Sequence, residues 1–147
     1  MIGSPVVLDT NVLVAAAFRP TSSAARIIQR IRSGDLRMVW RRETRAETRA
    51  VFERIPPIHW EDFAELYCSE NEWTQPMGLD GLACIVDPSD RKFAALAKAS
   101  GAVVISQDGH LLDCRNQLPL DVLRPREHAE WESGTGRSRF LGDTYHN

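Results

Sequence analysis

The sequence predicts an α/β fold, a parallel sheet with helices on both faces. Three observations carry this. Short apolar runs, Val6-Val7-Leu8 and Val103-Val104-Ile105, alternate with longer segments whose apolar residues recur at helical spacing. Each run leads to an acid with a helix signal just after it, at Asp9 and Asp108. The boundaries are marked by Pro20, Gly34, Pro56-Pro57, Gly101 and Pro125.

Val6 to Leu8 reads as a strand buried on both faces, as parallel strands are. Thr10 is placed to cap a helix from Asn11 to Phe18, stopped before Pro20. Thr21 or Ser22 caps a second helix, whose apolar face is Ala24, Ala25, Ile27, Ile28 and Ile31 and which Gly34 ends. Leu36 to Trp40 is a second strand. Arg41 to about Arg54 is a third helix, closed by Pro56-Pro57. His59 to about Glu70 reads as a fourth helix, apolar at Phe63, Ala64, Leu66 and Tyr67. Residues 71–81 look irregular, and Leu82 to Val86 reads as an extended segment.

Asp87-Pro88-Ser89-Asp90 opens the next helix. Proline favours the first helical position, which makes Asp87 the N-cap and Asp90 the third helical residue. Phe93, Ala94, Leu96 and Ala97 face inward, and Gly101 ends the helix. Val103 to Ser106 is a buried strand, Leu111-Leu112 a turn of helix, and Asp121 to Leu123 a last short strand; Pro125 opens a terminal helix. Residues 1–132 form one domain. Residues 133–147, rich in Gly, Ser and Thr, read as a flexible C-terminal tail.

No apolar run approaches the roughly 20 residues that span a bilayer. The opening Met-Ile-Gly-Ser-Pro lacks the charged start and apolar core of a signal peptide. These features predict a cytoplasmic protein with no membrane partner. Cys68, Cys84 and Cys114 are odd in number and lack zinc-type spacing, and the four histidines are scattered. Disulfide scaffolds and His/Cys zinc sites are not expected.

The formal charge of −2 hides an asymmetry. Residues 1–54 hold ten Arg against five acids, and residues 55–147 hold eight basic against fifteen acidic residues, so +5 and −7. Arginine suits phosphate, because its planar fork donates two bonds at once. Arg41, Arg42, Arg45 and Arg49, crowded on the third helix, are therefore candidate contacts for phosphate groups. A solvated face laced with Glu43, Glu47 and Glu53 pairs is the equal alternative.

Acids at four places carry the functional argument. Asp9 and Asp108 share one geometry, an acid after a strand at the carboxyl edge, where ligands of open α/β sheets bind. Asp90 points coreward at a helix start, where a buried acid is unfavourable unless compensated. Glu47 shares a helical face with Ala50 and Val51; Glu43, one turn earlier, is its rival. Ser106 offers a hydroxyl at the same edge. His110 is expected at the surface.

Leu8-Asp9-Thr10-Asn11-Val12-Leu13, Glu47-Thr48-Arg49-Ala50-Val51-Phe52, Asp87-Pro88-Ser89-Asp90-Arg91-Lys92-Phe93-Ala94 and Ile105-Ser106-Gln107-Asp108-Gly109-His110-Leu111-Leu112 occur in that order. Together they resemble PIN-domain proteins, the family that includes VapC-like toxins of toxin–antitoxin pairs. The resemblance runs from residue 5 to about 132. It implies a three-layer α/β/α fold with a parallel sheet in strand order 3-2-1-4-5, magnesium or manganese, and endoribonuclease activity. It maps the family's acids onto Asp9, Glu47, Asp90 and Asp108. Asp9, Asp90 and Asp108 would hold the metal, and Asn11 and Ser106 would support it. Trp40 stands where the family often has Ser or Thr, which leaves the register of Glu43 against Glu47 open. In that strand order Asp9 and Asp108 face one crevice. Four carboxylates there repel one another, a divalent cation relieves this, and all-oxygen donors suit magnesium or manganese.

The expected partners are an RNA substrate, a small antitoxin protein, and further copies of the chain in a homodimer or higher assembly. A non-catalytic RNA-binding or assembly module and a stand-alone nuclease of RNA processing are the alternatives. A response-regulator receiver domain would need an acidic pair near its start and a late lysine, which Asp9-Thr10-Asn11 and Ser106-Gln107-Asp108 do not supply.

Overall fold

A computed structural model describes residues 3–132. The tail assigned to 133–147 lies outside the described residues. Along the chain run β1 (Ser4–Leu8), α1 (Thr10–Phe18), α2 (Ser23–Ser33), β2 (Leu36–Met38), α3 (Arg42–Glu53), α4 (Pro88–Ser100), β3 (Val103–Ile105), α5 (Gly109–Asp113), β4 (Val122–Leu123) and α6 (Pro125–Glu132).

The four strands form one parallel sheet in the order β2-β1-β3-β4. Val6 pairs with Met38 on one side and Val103 on the other, and Leu8 pairs with Ile105. This register brings the ends of β1 and β3 level, so Asp9 and the Ser106–Asp108 loop emerge side by side. Alternation along the strands divides the core. Val7 and Val104 pack with Phe93, Ala94 and Leu96 of α4 and with Leu111 of α5. Val6, Leu8 and Ile105 face the other way, toward Val12, Leu13, Ile27, Ile28 and Phe52 of α1, α2 and α3. The result is three layers, with helices on both faces of the sheet.

Two elements differ from the sequence-based expectation. Leu82 to Val86 is not a strand, so the sheet has four strands, and the expected order stands without its outermost member. Leu82 N donates to Leu79 O and Ile85 N to Leu82 O, which closes the segment into successive turns. Leu82 and Ile85, three apart, are its buried anchors, a spacing that suits a turn and not the alternation of a strand. The sheet edge beyond β2 carries a single parallel bridge, Trp40 to Glu72. The fourth helix expected over His59 to Glu70 is instead three short 3₁₀ turns, at Trp60–Asp62, Ala64–Leu66 and Ser69–Asn71. Trp60, Phe63 and Leu66 fall at every third residue, which lines one face at three residues per turn. Phe63 meets Phe52 edge to face at 5.2 Å, and Trp40 meets Tyr67 at 5.5 Å.

The helix ends follow local chemistry. Ser22 caps α2 by accepting from Ala25 N, and Asp87 caps α4 by accepting from Ser89 N. Gly101 closes α4 with φ of 74°, a conformation that favours glycine. Among the described residues no helix is long and apolar enough to cross a membrane.

Candidate active site

Asp9 is the cap of α1, a role the sequence had suggested for Thr10. Its Oδ1 accepts from Val12 N at 3.1 Å, and Thr10 Oγ1 turns instead to Thr48 Oγ1 on α3, 2.9 Å away. Asp108 repeats the arrangement at α5, where its Oδ1 accepts from Leu111 N at 3.1 Å. Ser106 joins the two: its hydroxyl donates to Asp9 Oδ2 and accepts from Asp108 N at 3.0 Å. Ser106 is fully buried and Asp9 is 4 % exposed. A strand-end acid, a serine two residues before the second acid, and two caps thus form one hydrogen-bonded unit at the carboxyl edge.

α3 and α4 complete the site. Glu47 lies on the face of α3 that turns to the sheet edge. Its Oε1 accepts from Ser89 Oγ at 2.5 Å and lies 3.9 Å from Lys92 Nζ. Its Oε2 is buried and, among the described residues, has no hydrogen-bond partner. Glu43 is exposed and pairs with Arg41 at 2.8 Å, away from the cleft. The geometry therefore turns Glu47, not Glu43, toward the other acids. Asp90 is half-buried on the first turn of α4, with Asp87 beside it as the cap.

Asp9, Asn11, Glu47, Asp90 and Asp108 line one cleft of about 420 Å³, floored by Ala50, Val51 and Phe93. The electrostatics register the crowding. Burial pushes the Asp9 carboxyl up to about 6, against hydrogen bonds from Ser106 and Val12, and the charge of Asp108 adds to the rise. Asp90 is likewise pushed up to about 6, first by desolvation and then by the charges of Asp108, Asp87, Asp9 and Glu47.

The residues fit a hard divalent cation by two measures. All the converging donors are carboxylate or neutral oxygens. Glu47 also carries a buried oxygen with no hydrogen-bond partner among the described residues. Among the described residues, however, no three acidic, His or Cys side chains form a ready-made metal-binding group. That looseness suits magnesium, which keeps several waters and takes only one or two carboxylates directly.

Three of the four arginines at the start of and within α3 have partners inside the molecule. Arg41 pairs with Glu43 and donates to Gln75 O at 2.8 Å; the Arg45 guanidinium sits 4.7 Å from the centre of the Trp40 ring; Arg49 pairs with Glu53 at 3.3 Å and lies 5.6 Å from the Trp60 ring centre. Arg42 alone of the four is exposed with neither contact. Two residues of the cleft escaped the sequence argument. Arg54 lines it and is exposed, and Ser89 orients Glu47. Ser89 follows Pro88 inside the motif and was legible in principle; nothing set Arg54 apart from the other arginines around it.

No match is found among curated proteins. A family model described as the PIN domain matches residues 5–110, a span that starts in β1 and takes in Asp9, Glu47, Asp90 and Asp108. With more than half of its length matched in this way, and with the parallel α/β sheet that the resemblance implies, the chain belongs to the PIN-domain family.

Proposed function

We propose that the chain is a metal-dependent endoribonuclease that hydrolyses RNA phosphodiester bonds. The observation that carries this is the convergence of Asp9, Glu47, Asp90 and Asp108, drawn from β1, α3, α4 and the loop after β3, on one cleft. Asp9, Asp90 and Asp108 would hold magnesium or manganese. Such an ion, when bound, makes water nucleophilic at neutral pH and neutralises charge on phosphoryl oxygens.

The chain's own residues do the rest. Ser106 holds Asp9 and Asp108 at a fixed separation, so the two carboxylates need little reorganisation. Ser89 and Lys92 fix one oxygen of Glu47. The other oxygen, Oε2, has no hydrogen-bond partner among the described residues, and a turn of the carboxylate toward the cleft would let it accept a hydrogen bond, and then the proton, from the attacking water. Because water attacks and not the 2′-hydroxyl, the products carry a 5′-phosphate and a 3′-hydroxyl. Arg54 is placed to meet a non-bridging oxygen of the substrate at the rim of the cleft.

A role as the toxin of a type II toxin–antitoxin pair, with a small antitoxin and a homodimeric or higher assembly, is the finer form of this proposal. It rests on the resemblance, and a neighbouring reading frame for a small DNA-binding protein would support it. The nuclease proposal is tested by cleavage of a labelled RNA. Activity should appear with magnesium or manganese and stop with EDTA. Undiminished cleavage in EDTA would remove the metal mechanism, and RNA binding with no cleavage under any metal would leave a non-catalytic module.

A further inference from the structure

A second cleft, of about 750 Å³, opens on the same edge of the sheet, where the amino ends of α2 and α6 meet the loop after β3. Arg26 enters it from α2, and Arg124 and Arg126 from the start of α6. Gln107 closes it on the third side, and the next residue, Asp108, lines the acid cleft. The two clefts therefore adjoin along one stretch of backbone.

Its charge is unbalanced. Arg26 and Arg126 are exposed, and among the described residues neither guanidinium has a hydrogen bond or an ion pair. Glu127 is the lone acid of the lining. Both of its oxygens are taken by Arg115, at 2.7 and 3.1 Å, and one also accepts from Arg124 N at 2.9 Å. Arg115 does not line the cleft, so it answers Glu127 without adding to the charge inside. Arg124 comes only within 3.7 Å of Glu127. α2 carries no acid in its first turn, so the positive end of its dipole adds to the same field.

We infer that this cleft binds a phosphate of the RNA strand adjoining the one cleaved, and so positions the strand across the acids. The inference rests on the nuclease proposal. Guanidinium forks match phosphate oxygens, and the hydroxyls of Thr21 and Ser23 add donors of the right length. Pro125 is the single apolar residue of the lining, so an acidic peptide would find no apolar anchor there. The contact carries no sequence information and does not touch the reacting bond.

The test compares two double variants of the full chain, Arg26→Ala with Arg126→Ala, and Arg45→Ala with Arg49→Ala. Binding of a single-stranded RNA is followed by fluorescence anisotropy in EDTA across a salt series, and cleavage is followed with magnesium. The first pair should flatten the dependence of log affinity on log salt by about two units, one for each arginine. It should raise KM about tenfold and leave kcat unchanged. The second pair should leave slope and KM near those of the wild type. Both Arg26 and Arg126 are exposed, with no side-chain hydrogen bond or ion pair among the described residues, so the melting temperature of the first pair should match the wild type and exclude misfolding as the cause. Unchanged slope and KM in the first pair, with cleavage intact in the wild type, would overturn the phosphate site while leaving the nuclease proposal standing. A polyglutamate peptide that binds the wild type more tightly than RNA, and loses this in the first pair, would overturn it in favour of a protein partner. A wild type that neither binds nor cleaves RNA would remove the nuclease proposal itself.

Discussion

The acid cleft and the arginine cleft share one edge of one sheet, and Gln107 and Asp108 divide them. They are built in different ways. The acid cleft holds its charges in place with hydrogen bonds: Ser106 to Asp9 and Asp108, Ser89 to Glu47, Val12 N and Leu111 N to the two capping carboxylates. The arginine cleft leaves two of its three guanidinium groups with no hydrogen bond or ion pair among the described residues. A preorganised group suits the place where charge develops in a reaction. Long, unrestrained arginines suit a flexible strand, which they can meet in more than one pose. Under the proposed function, the contrast would separate two tasks, breaking a bond and holding the chain that contains it.

The largest expected effects separate the clefts outright. Asp108→Asn should reduce cleavage to background while RNA affinity in EDTA holds or rises, because a negative charge near the phosphates is gone. Glu47→Gln should lower kcat by about 10²–10⁴-fold with KM little changed, as befits the loss of a general base. Anisotropy and single-turnover cleavage on the same preparations check both. If Asp108→Asn instead weakened binding with kcat intact, the acid cleft would be the holding site and the contrast would be reversed.

A smaller effect divides the acid cleft within itself. Asp87 and Asp90 both line it, but Asp87 already accepts from Ser89 N at 2.8 Å as the cap of α4. Asp87→Ala should cost roughly 0.5–2 kcal/mol of stability and leave most of the cleavage. Asp90→Ala should abolish cleavage. Urea unfolding and cleavage rates, measured on both variants, would expose an interchange of the two roles.

The acids were legible because each sits at a position that secondary structure alone defines. Asp9 and Asp108 follow apolar strand runs, and Asp90 is three residues past the cap that Pro88 marks. Glu47 against Glu43 was a matter of helical phase, and neighbouring side chains decide it: Arg41 draws Glu43 to the surface, and Ser89, from a helix 42 residues away in the chain, draws Glu47 inward. The arginines are harder to read, for the opposite reason. Arg41, Arg45 and Arg49 are close in sequence, yet Glu43, Trp40, Glu53 and Trp60 engage them. Arg26, Arg124 and Arg126 come from two ends of the chain and meet only because α6 packs on α2. No local pattern announces such a meeting. The 3₁₀ turns after α3 were hidden for a related reason, since Trp60, Phe63 and Leu66 at intervals of three satisfy helix and 3₁₀ templates alike until packing against Phe52 selects one.

The smallest expected effect concerns what the crowding of acids does to the fold without metal. Asp90 is held up at about 6 in the folded chain, against an ordinary value of 3.8. A carboxyl with a raised folded pKa adds stability that is fully present below its unfolded pKa and is lost as pH rises through the folded one. The metal-free protein should therefore lose stability between about pH 4 and pH 6 from this group, and Asp9, raised to about 6 by burial, acts in the same direction. Lys92, 3.9 Å from Glu47, and Arg54 at the rim temper the repulsion. Asp90→Asn removes one charge at nearly constant shape. Because Asp90 is only half-buried, solvent screens much of its repulsion, and the variant should gain less than about 1 kcal/mol in EDTA at pH 7. At pH 4 the two proteins should unfold alike. Magnesium should raise the melting temperature of the wild type more than that of Asp90→Asn, since an ion that binds only the folded form stabilises in proportion to its affinity. The arginine cleft supplies the control: Arg26→Ala should change neither the pH dependence nor the response to magnesium. If Asp90→Asn melts lower than the wild type in EDTA at pH 7, Asp90 is a hydrogen-bonding member of the fold. The repulsion in the acid cleft would then come from its other acids, without Asp90.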